Sequence, residues 1–490
     1  MRDGERIGGP LAPPPVSRTM NLARASVALF GVELFNTALG FVSMIYFARE
    51  LGATVLGIFF LFEASLYTMA TVVDFGLRGA VEKRISAGDD PARMFGAAVV
   101  LKLLLIAVVA TIVLAFRGPI DAYLGTSLTL ELVAVVVAFE LAMLVVHVLQ
   151  GELRAGQTAI LHFARSLAFV VVAVGLIQYG YGVHALVYGL LASYVVLFAG
   201  GVFRLSTPIA RPGRRHLRSL YDYAKFNGIW GLGGHVYNWM DVIVIGLFLT
   251  QAAVGAYELA WRLTTTAIMF STVFARVLFP QLSALEADGA VEKVTTLLSD
   301  ATTTSLLLIV PSVVGVYLLA EEILGVVFGP EYTIAAAAFV VLMVEKLPQA
   351  VNLVFDKGIQ AFDQPRYGAI ATAISLTANI ALNFALVPRY GLVGAATATL
   401  VSVVVNTAIL GYYLGRLTPL RFPVRDVGWC VVASGAVGLV LVGLTRVVAV
   451  DTMGRLLGAV VLAVVVYGVT VLIAPSLREK VLGGLREVRG

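Results

Sequence analysis

The sequence predicts an all-α polytopic membrane protein with about fourteen transmembrane helices, arranged as two six-helix repeats plus two C-terminal helices. Three observations predict it. Of the 490 residues, 59% are hydrophobic and 13% charged, about half the charge of a soluble domain, and the mean hydropathy is +0.92. Apolar runs of spanning length recur along the chain. The first half of the chain also matches the second in order and in sense.

A spanning helix needs roughly 20 mostly apolar residues. Such runs fall near 25–48, 53–73, 94–115, 128–149, 158–178, 182–203, 226–249, 252–279, 302–320, 333–354, 367–387, 391–414, 426–445 and 456–474. They lack the two-residue alternation of a membrane barrel, and only helices or closed barrels satisfy the backbone in hydrocarbon. The polar start, with Pro10, Pro13, Pro14 and Pro15, reads as a cytoplasmic tail. A cleaved signal peptide is not expected, because the first apolar run is too long for one and lacks a clear cleavage site.

With the N-terminus inside, 25 of the 35 lysines and arginines fall in cytoplasmic segments, five outside (Arg49, Arg117, Arg389, Arg446, Arg455) and five within spans (Lys102, Arg165, Arg262, Arg276, Lys346). That bias predicts both termini in the cytoplasm; a plasma-membrane location is expected alongside it. The external connections leave no room for a catalytic domain outside. The basic residues lie beside apolar runs and read as orientation signals and lipid headgroup contacts, not as a nucleic-acid surface. The single cysteine, Cys430, and five histidines without an HExxH or HxxxH spacing leave no metal site. No GxxxxGK[ST] loop is present, so no nucleotide is expected and no cofactor is implied.

An offset of 198 residues puts Gly57 on Gly255 and Arg78 on Arg276. Further on, Leu124-Gly125 meets Phe328-Gly329, Gln150 meets Gln360, Tyr181-Gly182 meets Tyr390-Gly391 and Ser193 meets Ser402, the offset drifting to about 210. Six spans per copy give the copies one orientation. The chain then divides into a polar tail (1–24), an N-lobe (25–203), a basic cytoplasmic linker (204–225), a C-lobe (226–414), a terminal helix pair (415–474) and a cytoplasmic tail (475–490).

Ionisable groups at mid-membrane are costly, so their positions point to function. Helical spacing aligns Glu33, Asn36, Thr37, Gly40 and Ser43 on the first span, and Glu63, Tyr67, Asp74 and Arg78 on the second. The seventh carries Asn227, Gly231, Gly234, Asn238 and Asp241, and the eighth Glu258, Arg262, Thr265, Thr272 and Arg276. These stripes are expected to converge on one interior cavity between the lobes. A blander reading stands beside this: Asp74 with Arg78 and Glu258 with Arg262 have the spacing of structural ion pairs, and Arg78 and Arg276 have the position to snorkel. The histidines at 147, 162, 184 and 235 read as core or boundary residues, and the glycines at 231 to 234 as a close helix contact.

The run NWMDVIVIGLFLTQAAVGAYELAWRLT followed by RVLFPQLSAL resembles the seventh and eighth helices of Wzx-type polysaccharide flippases. These belong to the multidrug/oligosaccharidyl-lipid/polysaccharide exporter superfamily. FVSMIYFARELGATVLGIFFLF with VDFGLRGAVEKRIS resembles the first two helices, and FGPEY and YGLVGAATATL fit further on. The resemblance covers nearly the whole chain from about Asn21. It implies a transporter, not an enzyme: a flippase moving a polyprenyl (undecaprenyl or dolichol) phosphate- or pyrophosphate-linked oligosaccharide from the cytoplasmic to the outer face. The product would serve surface polysaccharide or N-glycan assembly, downstream of glycosyltransferases of the same pathway.

On this reading Arg78, Arg262 and Arg276 meet the phosphate, and Asn227, Asn238 and Thr265 hydrogen-bond sugar hydroxyls. Asp241, Glu33, Glu63, Asp74 and Glu258 are candidates for coupling to H⁺ or Na⁺ or for gating. The polar N-terminal extension departs from the family's usual short start. The alternatives are a multidrug or metabolite antiporter of the same superfamily, against which the extra helix pair counts, and a membrane glycan polymerase or ligase, which lacks its usual catalytic loop here.

Overall fold

The computed structural model describes residues 16–475, 477 and 478, with side chains described for 36–154, 156–225, 239–475, 477 and 478. Among the described residues there are α-helices and one short 3₁₀ segment, and no strand. The N-half comprises α1 (Val16–Asp74), α2 (Leu77–Ser86), α3 (Pro91–Ala115), α4 (Arg117–Leu124), α5 (Thr129–Gly151), α6 (Ala155–Gln178) and α7 (Val183–Val202). The C-half comprises α8 (Arg214–Phe248), α9 (Gln251–Ala287), α10 (Val291–Leu306), α11 (Ile309–Val327), the 3₁₀ segment Pro330–Ala335, α12 (Ala336–Ala361) and α13 (Pro365–Leu417). Two helices outside the repeat follow, α14 (Val424–Val447) and α15 (Met453–Ile473), packed on α11.

Eleven helical stretches among the described residues are long and apolar enough to cross a bilayer. The expected number is larger for two physical reasons. First, α1 and α13 each join two expected spans. A straight helix of the 59 residues of α1 would reach about 90 Å, three times a hydrocarbon core of about 30 Å. Both helices break at a glycine in the left-handed region, Gly52 at φ 80° and Gly391 at φ 57°, where a side chain would be strained. Second, the expected seventh span overlaps residues 226–238, outside the described side chains, which leaves Trp239–Phe248 as a shorter apolar stretch.

Arg214 to Lys225, expected in the linker, form the first turns of α8. Leu217, Leu220 and Ala224 stand at helical spacing, and their apolar stripe packs on α2 and the start of α3. The non-helical linker is therefore confined to 204–213.

Burial is uneven in a way that matters for function. One large hydrophobic cluster joins both halves, running through Ala53, Leu56, Phe60, Val254, Tyr257 and Phe328. Two smaller clusters each belong to one half, around Val81, Phe95 and Val148 in the N-half and around Leu282, Leu298 and Leu414 in the C-half. Both adjoin the loops at the linker end of the bundle. The halves thus share a core towards the Gly52 end and keep separate cores at the linker end.

The Gly52 end is closed by backbone contacts between halves. A Cβ on Gly57 would overlap the Gln251 carbonyl oxygen, and one on Gly255 would overlap that of Ala53. The Tyr332 hydroxyl donates to the Ala48 carbonyl, and the Tyr123 hydroxyl to that of Ile243, each at 3.1 Å. Arg49 donates through Nε to the Val327 carbonyl at 2.9 Å and through a second nitrogen to that of Val326, capping the last turn of α11.

Candidate functional site

Between the halves lies a cavity of about 510 Å³, walled by α1, α6 and α7 from one side and by α9 from the other. Its polar lining includes Asn36, Thr37, Ser43, Glu63, Arg165 and Arg262, and its apolar lining mixes aliphatic with aromatic side chains, among them Phe47, Phe59 and Phe169. Phe59 and Phe169 stack with centroids 6.2 Å apart, while Phe47 meets Phe169 edge-on. Such a surface suits a ligand with polar groups on a ring that also has apolar faces.

Arg262 reaches this cavity from α9. Its Nε donates to Glu258 Oε1 at 2.8 Å, and a terminal nitrogen donates to Glu63 Oε2 at 3.0 Å. The guanidinium also lies 4.6 Å from the centre of the Phe60 ring. Glu63 belongs to the N-half and Glu258 to the C-half, so this arginine ties the halves together across the cavity. Arg165 enters from α6. Its guanidinium lies 5.6 Å from the centre of the Tyr194 ring, and among the described residues it has no ion-pair partner.

A second constellation is buried within the N-half. Arg78 contacts Glu140 Oε1 at 2.5 Å and Asp74 Oδ1 at 3.3 Å, and Lys102 Nζ lies 2.8 Å from both Asp74 Oδ1 and Glu140 Oε2. Lys102 and Glu140 are fully buried. Two acids and two bases form a closed, neutral set, which is how buried charge is tolerated. Arg78 also lies over the Phe139 ring at 4.8 Å.

The third constellation lies in the C-half. The Asp241 carboxylate accepts from the Tyr257 hydroxyl and the Thr399 hydroxyl, each at 2.6 Å, and from Asn383 Nδ2 at 2.8 Å. Asn379 stands one turn before Asn383 on α13 and donates to Thr399 at 3.3 Å. The Asn383 Oδ1 is buried without a donor. A half-buried carboxylate beside amide and hydroxyl oxygens is suited to a small cation or a proton. Among the described residues no group of three or more His, Cys, Asp or Glu is placed to hold a metal ion.

Known proteins are similar to this chain over most of its length. The sequence profile of the family described as "Polysaccharide biosynthesis protein" matches residues 46–337. A protein of Haloferax volcanii named "Probable low-salt glycan biosynthesis flippase Agl15" is 39% identical over 460 residues, 94% of this chain and 98% of its own. The chain belongs to the polysaccharide biosynthesis protein family. A second Haloferax volcanii member, "Probable flippase AglR", is 30% identical over 86% of this chain and 89% of its own.

Among solved structures, the lipid II flippase MurJ in an inward closed conformation superposes with a TM-score of 0.77, covering 91% of this chain and 98% of that one at 16% identity. A multidrug resistance MATE family transporter of the MOP superfamily, inward-facing, gives 0.62, covering 78% and 94% at 18% identity. At these identities the likeness is one of fold.

Within this family member, the residues singled out in the sequence divide among several places. Glu63 and Arg262 meet at the cavity, with Glu258 behind them. Asp74 and Arg78 belong to the buried N-half set, and Asp241 to the C-half site. Thr265 is exposed and donates to the Trp261 carbonyl at 3.0 Å, whereas its neighbour Thr266 lines the cavity. Arg276 is exposed further along α9 and, among the described residues, pairs with no carboxylate. Glu33, Asn227 and Asn238 lie outside the described side chains.

Sequence reasoning missed Glu140, Tyr257, Asn379, Asn383 and Thr399. Signals for some of them exist. Glu140 is a carboxylate inside an apolar run, and Asn379 and Asn383 stand four apart on one helix face. Tyr257 and Thr399 carry no such mark.

Proposed function

We infer that this chain is a flippase that carries a polyprenyl-linked glycan across the membrane, a transporter and not an enzyme. The observation that carries this reading is the polar cavity set between two halves that share a core at one end only. A phosphate and sugar head cannot enter hydrocarbon, since an isolated buried charge costs tens of kcal/mol by Born estimates at about ε 4. The lipid tail need not leave it. A cavity between rocking halves serves both parts, and inverting which end shares a core gives alternating access. The relatives named as flippases support this reading over a multidrug antiporter or a glycan polymerase.

The head moves from the cytoplasmic to the outer face of the plasma membrane, with both chain termini in the cytoplasm and about fourteen spans, six in each lobe and two beyond. The carrier is an undecaprenyl or dolichol phosphate or pyrophosphate, and glycosyltransferases of the same pathway supply the glycan. Arg276, exposed beyond the cavity on α9, meets the phosphate early. Arg78 and Arg262 act through their carboxylate partners. Glu63 and Glu258, which share Arg262, gate the halves, and Asp241 binds the H⁺ or Na⁺ that couples the motion.

Deletion of the gene tests the assignment. Lipid-linked glycan facing the cytoplasm should accumulate and the glycan on the outer face should fall. Unchanged levels of both, in a strain without a second flippase, would overturn it.

A further inference from the structure

The cavity arginines differ in how much of their charge is already met. Arg262 is held between Glu258 and Glu63. Arg78, outside the cavity, shares Asp74 and Glu140 with Lys102. Each of these guanidiniums would have to give up a carboxylate partner before taking another anion, leaving that carboxylate unpaired in a largely water-excluded site.

Arg165 would give up nothing of the kind. It lines the cavity and, among the described residues, faces no carboxylate at ion-pair distance. Its support is aromatic: Tyr194 lies beneath the guanidinium, Tyr194 exchanges a hydrogen bond with Tyr67 at 3.3 Å, and Tyr67 stacks on Trp239 at 5.3 Å. A ring under its face orients a guanidinium while leaving its edge N–H donors free. Those edges are the groups that take a phosphate two oxygens at a time. One turn along the same helix, Phe169 stacks on Phe59 in the cavity wall and offers a flat apolar surface beside the anion.

We propose that Arg165 is the residue that holds the phosphate of the lipid-linked head in the cavity, with the Phe59–Phe169 wall against the adjoining ring or first isoprene unit. This rests on the flippase reading and assigns its anion contact to α6 instead of to Arg262 on α9. Arg262 is then a positioning residue that ties the halves through Glu63.

The test uses the full chain in neutral detergent and farnesyl phosphate as probe, with farnesol, inorganic phosphate and dioleoyl phosphatidylglycerol as comparisons. The wild type should bind farnesyl phosphate about tenfold or more tighter than farnesol or inorganic phosphate. Arg165→Gln should lose about that factor along with the salt dependence, Arg165→Lys should retain part of it, and Arg262→Gln should lose no more than about threefold.

In the wild-type chain, which needs no variant to fold, farnesyl phosphate should protect Arg165 from phenylglyoxal and farnesol should not. Unchanged binding in Arg165→Gln, or no protection, would overturn the assignment while leaving the flippase reading in place. Equal displacement by phosphatidylglycerol would overturn it too, in favour of a general lipid site. A wild type that binds farnesol as well as farnesyl phosphate would instead count against an anion-carrying cavity, and with it the reading on which the assignment rests.

Discussion

Gly57 and Gly255, which coincide under the internal repeat, pack on one another's helices at the closed end of the molecule. Each lacks room for a single methyl group because a backbone carbonyl of the other half occupies it, that of Gln251 at Gly57 and that of Ala53 at Gly255. The two tyrosine hydrogen bonds nearby have the same reciprocal form. Tyr332 in the C-half reaches the first helix of the N-half, and Tyr123 in the N-half reaches the first helix of the C-half. Closure at this end is thus made twice, once from each lobe, and both sets must part if the cavity is to open there.

A side chain at either glycine should therefore keep the halves apart. Gly57→Ala and Gly255→Ala are each expected to lower stability by about 1–3 kcal/mol, as overpacking does, and to reduce export. Gly443→Ala, where a Cβ meets nothing within 4 Å, serves as the control. Thermal midpoints of the purified proteins decide the matter. Equal midpoints for Gly57→Ala and Gly443→Ala would mean that the contact is not tight.

The buried N-half set makes a different prediction, because its stability depends on charge balance more than on any one bond. Lys102→Met leaves two carboxylates to Arg78 alone and should cost about 3–5 kcal/mol. Adding Glu140→Gln restores neutrality and should recover most of the loss. Yield of folded protein and midpoint on heating report both effects. A double variant no better than Lys102→Met would assign the loss to packing.

Much of this architecture is legible in the sequence, because bilayer thickness dictates the length of an apolar run and basic loops mark its ends. The repeat makes Gly57 and Gly255 equivalent, but their close approach is visible only in the structure. The i, i+4 spacing predicted both Asp74–Arg78 and Glu258–Arg262, which the structure forms at 3.3 and 2.8 Å. What spacing along one helix does not reveal is which residue of another helix completes the set. Glu63 on α1 meets Arg262 on α9, 199 residues away, and Glu140 meets Arg78 across 62. These partners depend on helix rotation and crossing, which packing decides. For the same reason four polar stripes that looked alike serve separate places, with Asp241 in the C-half and Asp74 in the N-half.

Outside the membrane spans, Glu152 predicts a pH dependence. Burial pushes its carboxyl up, but the side chains and backbone N–H groups of Thr207 and Ser206, the N–H groups at 2.7 and 3.1 Å, outweigh this and hold it below the ordinary carboxylate range. Its contribution is therefore present in full above the unfolded value of about 4.3 and is lost as pH falls through the lower folded value. Glu152→Gln should remove that acid-side loss. The observable is protease cleavage in the 204–213 segment, which in the wild type should rise at the acid end and in the variant should vary less with pH. Identical profiles would show that this contact does not hold the linker.

Asp241 makes the sharpest demand on the coupling hypothesis. Its carboxylate already accepts three hydrogen bonds, from Tyr257, Thr399 and Asn383, so a bound cation would have to share these oxygens and draw on the unsatisfied Asn383 Oδ1. Asp241→Asn removes the charge while keeping the size. It also sets an amide donor against existing donors, so a modest loss of stability of about 1–3 kcal/mol is expected. If Asp241 is the coupling site, flipping of a fluorescent farnesyl phosphate sugar in proteoliposomes should lose its response to an imposed Na⁺ or H⁺ gradient in this variant. Gradient-independent binding of farnesyl phosphate should persist, because Asp241, Asn383 and Thr399 do not line the cavity, although α9 contributes to both sites. A variant that responds to both gradients as the wild type does would remove Asp241 from the coupling path, and a wild type indifferent to both would remove the need for one.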